Sequence, residues 1–155
     1  MSKSLKRVRA ALEAAGETPD IRETALARTA QDAADALGCG VDQIAKSIIF
    51  RGTESNEALL FVTAGGNRVD ASKATALAGE PLDKADAALI RAQTGFAIGG
   101  VSPVGHLNPI RSFLDPRLMD FEVIWAAAGT PHHVFSIAPQ RLSALTGAEF
   151  VHFTE

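Results

Sequence analysis

Apolar residues recur along this chain with two periods that alternate from end to end. Leu5, Val8, Leu12 and Ala15 are spaced by three and four, which puts them on one face of a helix that Gly16 can end. Thr29 can cap a second helix, with Ala30, Ala33, Ala34 and Leu37 on one side and Gly38 as its stop. A third starts at Asp70 or Ser72, carries Ala74, Leu77 and Ala78 inward, and stops at Gly79. Asp83 is expected to cap a fourth that holds Ala85, Ala88, Leu89 and Ala92, with Gly95 following. Pro139 suits the first turn of a fifth, which presents Leu142 and Leu145 and ends at Gly147.

Between these helices lie short β-branched and aromatic runs with turn residues on both sides, the pattern of buried strands. They are 47–51, 58–63, 96–99, 121–127, 133–138 and 150–153. The turns at 52–56 and 129–131 read as hairpins. Short alanine-rich helices carry little bulk and must lie close against a sheet to bury enough area. The expected fold is mixed α/β (α+β), on a mostly antiparallel sheet, with one domain over residues 1–155.

Composition narrows the class. With 46% apolar and 21% charged residues the chain is an ordinary globular sequence, and no apolar run approaches the ~20 residues of a membrane span. Met1 to Val8 hold Lys3, Lys6 and Arg7 with no apolar run after them, so no secretory leader is expected. Cys39 is the sole cysteine, which fits a reducing, cytoplasmic setting. The net charge of −3 argues against a broad RNA-binding face, because phosphate neutralisation normally supplies most of such affinity. A polyanionic partner would have to be met locally or delivered by another protein.

The densest candidate for chemistry is Gly99-Gly100-Val101-Ser102-Pro103-Val104-Gly105-His106. A nucleophile elbow fails there: the fifth position is Val104, and Pro103 lacks the N–H that the oxyanion hole requires. A phosphate loop fails too, since His106 and Leu107 stand where lysine and a hydroxyl residue are needed. His132 and His133 would point to opposite faces of a strand and there is one cysteine, so no metal site is expected; with no Rossmann fingerprint either, no cofactor is expected. The amides of Gly100, Val101 and Ser102 could stabilise a carbonyl oxygen as it gains charge; equally, the segment could be a tight turn. Lys46, where a buried strand begins, could act as a fixed cation, although lysines at strand ends are more often simply solvated.

These residues together resemble the YbaK/ProX family of tRNA-editing domains. The resemblance runs from Ile21 to about Phe150, through Gln43-Ile44-Ala45-Lys46-Ser47-Ile48, Asn67-Arg68-Val69-Asp70, the 94–105 segment, Ala128-Gly129 and Ile137-Ala138-Pro139. It implies a mixed sheet curled among helices and an aminoacyl-tRNA deacylase that hydrolyses the ester of misacylated tRNA. The implied partner is the acceptor end of aminoacylated tRNA, with a synthetase as a further partner, and neither DNA nor membrane. It makes Lys46 the principal site residue, with Gly100, Val101 and Ser102 at the carbonyl. Ser47, Gly99, Pro103, His106, Gly129 and His133 would line the substrate pocket. Water or the substrate's own side chain would attack. Some relatives carry asparagine directly after the lysine; here it is Ser47, a departure that leaves their preference for alanine an open question for this chain. The amino acid removed stays open among alanine, cysteine, 2-aminobutyrate, serine and threonine, with tRNA-Pro as the leading tRNA. Two readings compete: a non-catalytic module that binds tRNA ends or a synthetase, and a hydrolase or binder of a small nucleotide or acylated metabolite.

Overall fold

The helices form where capping chemistry and apolar spacing agree. In the computed structural model, which describes residues 2–155, α1 (Lys3–Ala14) starts where Ser2 Oγ accepts the Leu5 N–H, and it buries Leu5, Val8 and Leu12. Helix α2 (Ala30–Leu37) is capped by Thr29, and α3 (Ala71–Ala78) by Asp70 rather than Ser72. Helix α4 (Ala87–Thr94) departs from expectation: its cap is Asp86, not Asp83. Asp83 instead sits in a short strand opposite Arg51, and Ala85 is buried in the core ahead of the helix. Pro139 opens α5 (Pro139–Thr146), and α2 to α5 each stop at the glycine that the pattern marked.

Among the described residues eight strands make one mixed sheet: β1 (Asp20–Glu23), β2 (Ile44–Gly52), β3 (Ala58–Ala64), β4 (Leu82–Lys84), β5 (Arg111–Leu114), β6 (Ile124–Ala127), β7 (His133–Ile137) and β8 (Glu149–Phe150). The order is β1-β7-β6-β2-β3-β5-β8, with β4 also paired to β2. Four pairings among the described residues are antiparallel and three, β2 with β6, β3 with β5 and β5 with β8, are parallel. Both expected hairpins form, β2–β3 and β6–β7.

Residues 96–99 are not a strand. Phe96 is fully buried, its N–H is held by Thr94 Oγ1, and Gly99 turns the chain, so the segment packs as a loop with no neighbour to pair with. Pairing near the C-terminus is confined to Glu149–Phe150 and a bridge from Thr154 to Val69.

Strand β3 is buried at all seven positions because it is covered on both faces. One face carries Leu60 and Val62 into a core shared with α1, α4 and α5. The other carries Leu59 and Phe61 against α3, with Phe61 stacked on Phe113 at 5.0 Å. A third cluster joins Ile44 and Trp125 to α2.

One irregularity of the sheet positions the site. Strand β2 pairs with β3 along almost its whole length, but on its other side it meets β6 only at Ile44 and Ala45 and β4 only from Phe50 onward. Between Lys46 and Ile49 that edge has no strand beside it.

Candidate active site

The gap in the sheet opens into a cavity of about 490 Å³, walled by Lys46, Ser47, Gly99, Val101, Thr130 and His133 among others. Lys46 is the third residue of β2, on the face that carries Ile44 and Ile48, and lies opposite the buried Thr63. Its Nζ donates to Asn67 O at 2.7 Å and Gly65 O at 3.1 Å. An ammonium has three N–H donors, so one remains for a ligand. Burial pushes the Lys46 ammonium below the ordinary lysine value and Arg68 adds to this, while Asp42 and Asp115 pull the other way.

The carbonyls that hold Lys46 are themselves anchored by Asp115, a buried carboxylate that the sequence reading did not single out. Its Oδ2 accepts the Ala64 N–H (3.1 Å) and Asn67 Nδ2 (2.9 Å), and its Oδ1 accepts the Arg117 N–H. The only hint in the sequence was an aspartate before Pro116, which also reads as an ordinary cap.

The glycine loop lies across the gap, where Ser47 Oγ donates to Val101 O at 2.9 Å. Gly100 is needed for close approach: a Cβ there would sit 2.8 Å from the Thr130 backbone. Its N–H is already given to Ala97 O, so Gly100 is not a free donor as the sequence reading had it. The amides of Val101 and Ser102 meet no acceptor among the described residues. Ser102 is fully buried and lines neither depression, so, contrary to expectation, its amide is not offered to a ligand; its Oγ accepts the Val104 N–H and shapes the loop. Gly129 does not line the cavity; it packs so tightly on Ser4 O of α1 that a Cβ would lie 2.8 Å away.

The loop changes sides at Ser102. Pro103 and His106 face a separate depression of about 670 Å³ between the loop and α1, away from Lys46. His106 Nε2 meets Ser102 O at 2.7 Å, and burial lowers its proton affinity. Arg7 of α1 ties this loop from behind. Its Nε donates to Gly105 O, its Nη2 to Gly95 O, and its guanidinium lies 4.5 Å from the Phe96 ring centre. His133 does line the Lys46 cavity; its Nδ1 is 2.7 Å from Thr130 Oγ1.

Charge separates the two depressions. The larger carries no lysine, arginine or carboxylate on its wall. The Lys46 cavity has three cations, Arg28, Lys46 and Lys84, and no Asp or Glu. Arg28 and Lys84 escaped the sequence reading, since each is an isolated polar residue outside any motif.

A mixed, helix-covered sheet with a cationic cavity at a break in one strand, closed by a glycine loop, defines the class of domain. Residues 24–145 match the aminoacyl-tRNA editing domain family, and the chain belongs to it. It is 31% identical to the uncharacterized protein YwhH of Bacillus subtilis (strain 168), over 90% of this chain and 89% of that one. It is 24% identical, over 81% of this chain and 77% of the other, to EbsC of Enterococcus faecalis (strain ATCC 700802 / V583), a protein provisionally described as a Cys-tRNA(Pro)/Cys-tRNA(Cys) deacylase. It superposes with a TM-score of 0.92 and 44% identity on a crystal structure provisionally described as a trans-editing enzyme for prolyl tRNA synthetase, with 100% and 99% of the two chains covered.

Proposed function

We propose that this protein is a cytoplasmic trans-editing hydrolase that cleaves the ester between a small non-cognate amino acid and the 3′ end of a tRNA, tRNA-Pro foremost. The observation that carries the reading is the cavity wall: three cations, no carboxylate, and one of the cations, Lys46, fixed by two carbonyls with a donor to spare. Such a wall suits the phosphate and ribose oxygens of a nucleotide terminus. Family membership and the names given to EbsC and the superposed structure support the tRNA class and the proline connection.

In this mechanism Lys46 holds ribose or phosphate oxygens and so sets the ester against the loop. The N–H of Val101, the one loop amide that both lies on the cavity wall and meets no acceptor among the described residues, receives the carbonyl oxygen as it becomes negative, a role worth roughly 3 kcal/mol where a preorganised donor is lost. Water or the side chain of the bound amino acid attacks the carbonyl carbon, and the ribose hydroxyl leaves. Selection against larger residues follows from cavity size, because a synthetase discriminates one methylene by only ~1 to 3 kcal/mol.

The test is deacylation of tRNAs charged with alanine, cysteine, 2-aminobutyrate, serine, threonine and proline. Wild type should release one or a few of the small residues and spare proline. Lys46→Ala should lose most of that activity while staying folded, and Ser102→Ala should lose less. Equal rates for wild type and Lys46→Ala would remove the lysine from the mechanism. Binding of tRNA without release of any amino acid would favour a non-catalytic module that presents tRNA ends to a synthetase, a reading to which the net charge of −3 lends weight.

A further inference from the structure

The cavity contains an unused hydrogen-bonding edge as well as charge. Around Gly52 the main-chain groups of β2 alternate: Gly52 bonds towards β3, through Glu57 O and Asn56 N, while Thr53 donates the other way, to Pro81 O. Continued back along the strand, this alternation turns the N–H and C=O of Ser47 and Ile49 away from β3 and towards the break. The ladder with β6 has ended at Ala45 and that with β4 has not begun. The N–H and C=O of Ser47 and the N–H of Ile49 therefore have no partner among the described residues. They form a donor–acceptor–donor row inside the cavity. The slit is apolar on both sides. Ile49, Ile90 and Val101 belong to the core on one face of the sheet, and Ile44, Trp125 and Ala30 to the cluster on the other.

We propose that this edge of β2 reads the pairing edge of the terminal adenine, holding it as if it were one more strand of the sheet. The inference rests on the tRNA-editing reading of the same cavity. Adenine presents an exocyclic N–H donor beside a ring-nitrogen acceptor. In the register that an ester held beside Lys46 sets, the Ser47 C=O takes the first and the N–H of Ile49 supplies the second. Hypoxanthine reverses this pattern, with an acceptor at position 6 and a donor at position 1. A flat heterocycle matches a slit with apolar walls, and unstacked bases are commonly read on this edge. Cytosine carries the same donor–acceptor pair, but the ester is borne by the terminal adenosine, and Lys46 precedes the open edge by one residue. Every tRNA ends in the same adenosine, so a main-chain reader anchors the ester without reading tRNA identity and without a broad basic face.

The test replaces only the terminal base of tRNA-Pro charged with the small amino acids of the deacylation panel. Adenosine, 7-deazaadenosine, purine riboside and inosine termini are compared by kcat/KM. Stable 3′-aminoacylamido analogues of adenosine and inosine are compared by titration calorimetry. Loss of the 6-amino group in purine riboside should cost about tenfold, since a hydrogen bond lost at a buried site is worth about 1.4 kcal/mol. Inosine should cost more, in rate and in binding, because it sets donor against donor. The 7-deaza substrate, changed on the opposite edge, should stay within about twofold, far short of the tenfold that 1.4 kcal/mol represents. Equal kcat/KM for all four termini, or equal binding of the two analogues, overturns the adenine reading and leaves the deacylase reading standing. No turnover of the adenosine substrate removes the deacylase reading, while the two analogues still decide the edge: tighter binding of adenosine upholds it, and binding of neither overturns it.

Discussion

Lys46 is held at two removes. Its ammonium rests on the carbonyls of Gly65 and Asn67, and the turn bearing them is tied down by Asp115. Asp115→Asn would set an NH2 group against a ring of donors. The expected loss is roughly 2 to 4 kcal/mol of stability by chemical denaturation, together with a rise in KM as Lys46 loses its fixed position. An unchanged KM would leave Asp115 a purely structural residue. His106 gives a pH signature at the same scale. Burial makes the folded protein bind this proton less readily than the unfolded chain does. Its share of stability is therefore intact above the ordinary histidine value and declines as pH falls below it. Between pH 7.5 and 5.5 the Tm of wild type should fall further than that of His106→Gln, which keeps a donor for Ser102 O. Parallel curves would show that the imidazole carries no such penalty.

The glycine loop acts as one element because three separate parts of the chain hold it. Arg7 ties it at Gly95 and Gly105, Ser47 at Val101, and the Thr130 turn presses on Gly100. Gly100→Ala forces the loop and that turn apart. It should cost about 1 to 3 kcal/mol, the usual range for overpacking, and lower kcat by more than the stability loss explains. Thermal melts beside single-turnover rates make the comparison. Normal kcat in a destabilised Gly100→Ala protein would mean that the loop position does not matter to the chemistry.

Across the whole molecule the charge is −3, yet the cavity wall holds three cations and no carboxylate. Attraction for a nucleic acid should therefore be local. For a single-stranded 3′ end the salt slope is about 0.7 per phosphate neutralised, so contact with two or three phosphates gives a magnitude near 2. Measured tRNA affinity against salt should show that shallow slope, and Arg28→Ala or Lys84→Ala should each reduce it. A slope several times steeper would place the tRNA on a much wider surface than the cavity.

Local chemistry determined much of this protein before any contact was known. Caps, glycine stops and three-four spacing are interactions within one or two turns, so the five helices were legible from Thr29, Asp70, Pro139 and their partners. The apolar run 58–63 and its turn marked β3 and the first hairpin in the same way, and Lys46 and the glycine loop stood out by type and order. Tertiary structure decided the rest. Strands β1, β4 and β5 are short and carry charged residues, and they become strands only because distant segments offer them an edge: β5 at residues 111–114 needs β3 at 59–62. The same long-range pairing drew Asp83 into the sheet and passed the cap of α4 to Asp86. It also left β2 open between Lys46 and Ile49 and sent the two halves of the glycine loop to different depressions. A strand's edge is a relation between segments far apart in the chain, and no local pattern records which of its main-chain groups will go unpaired.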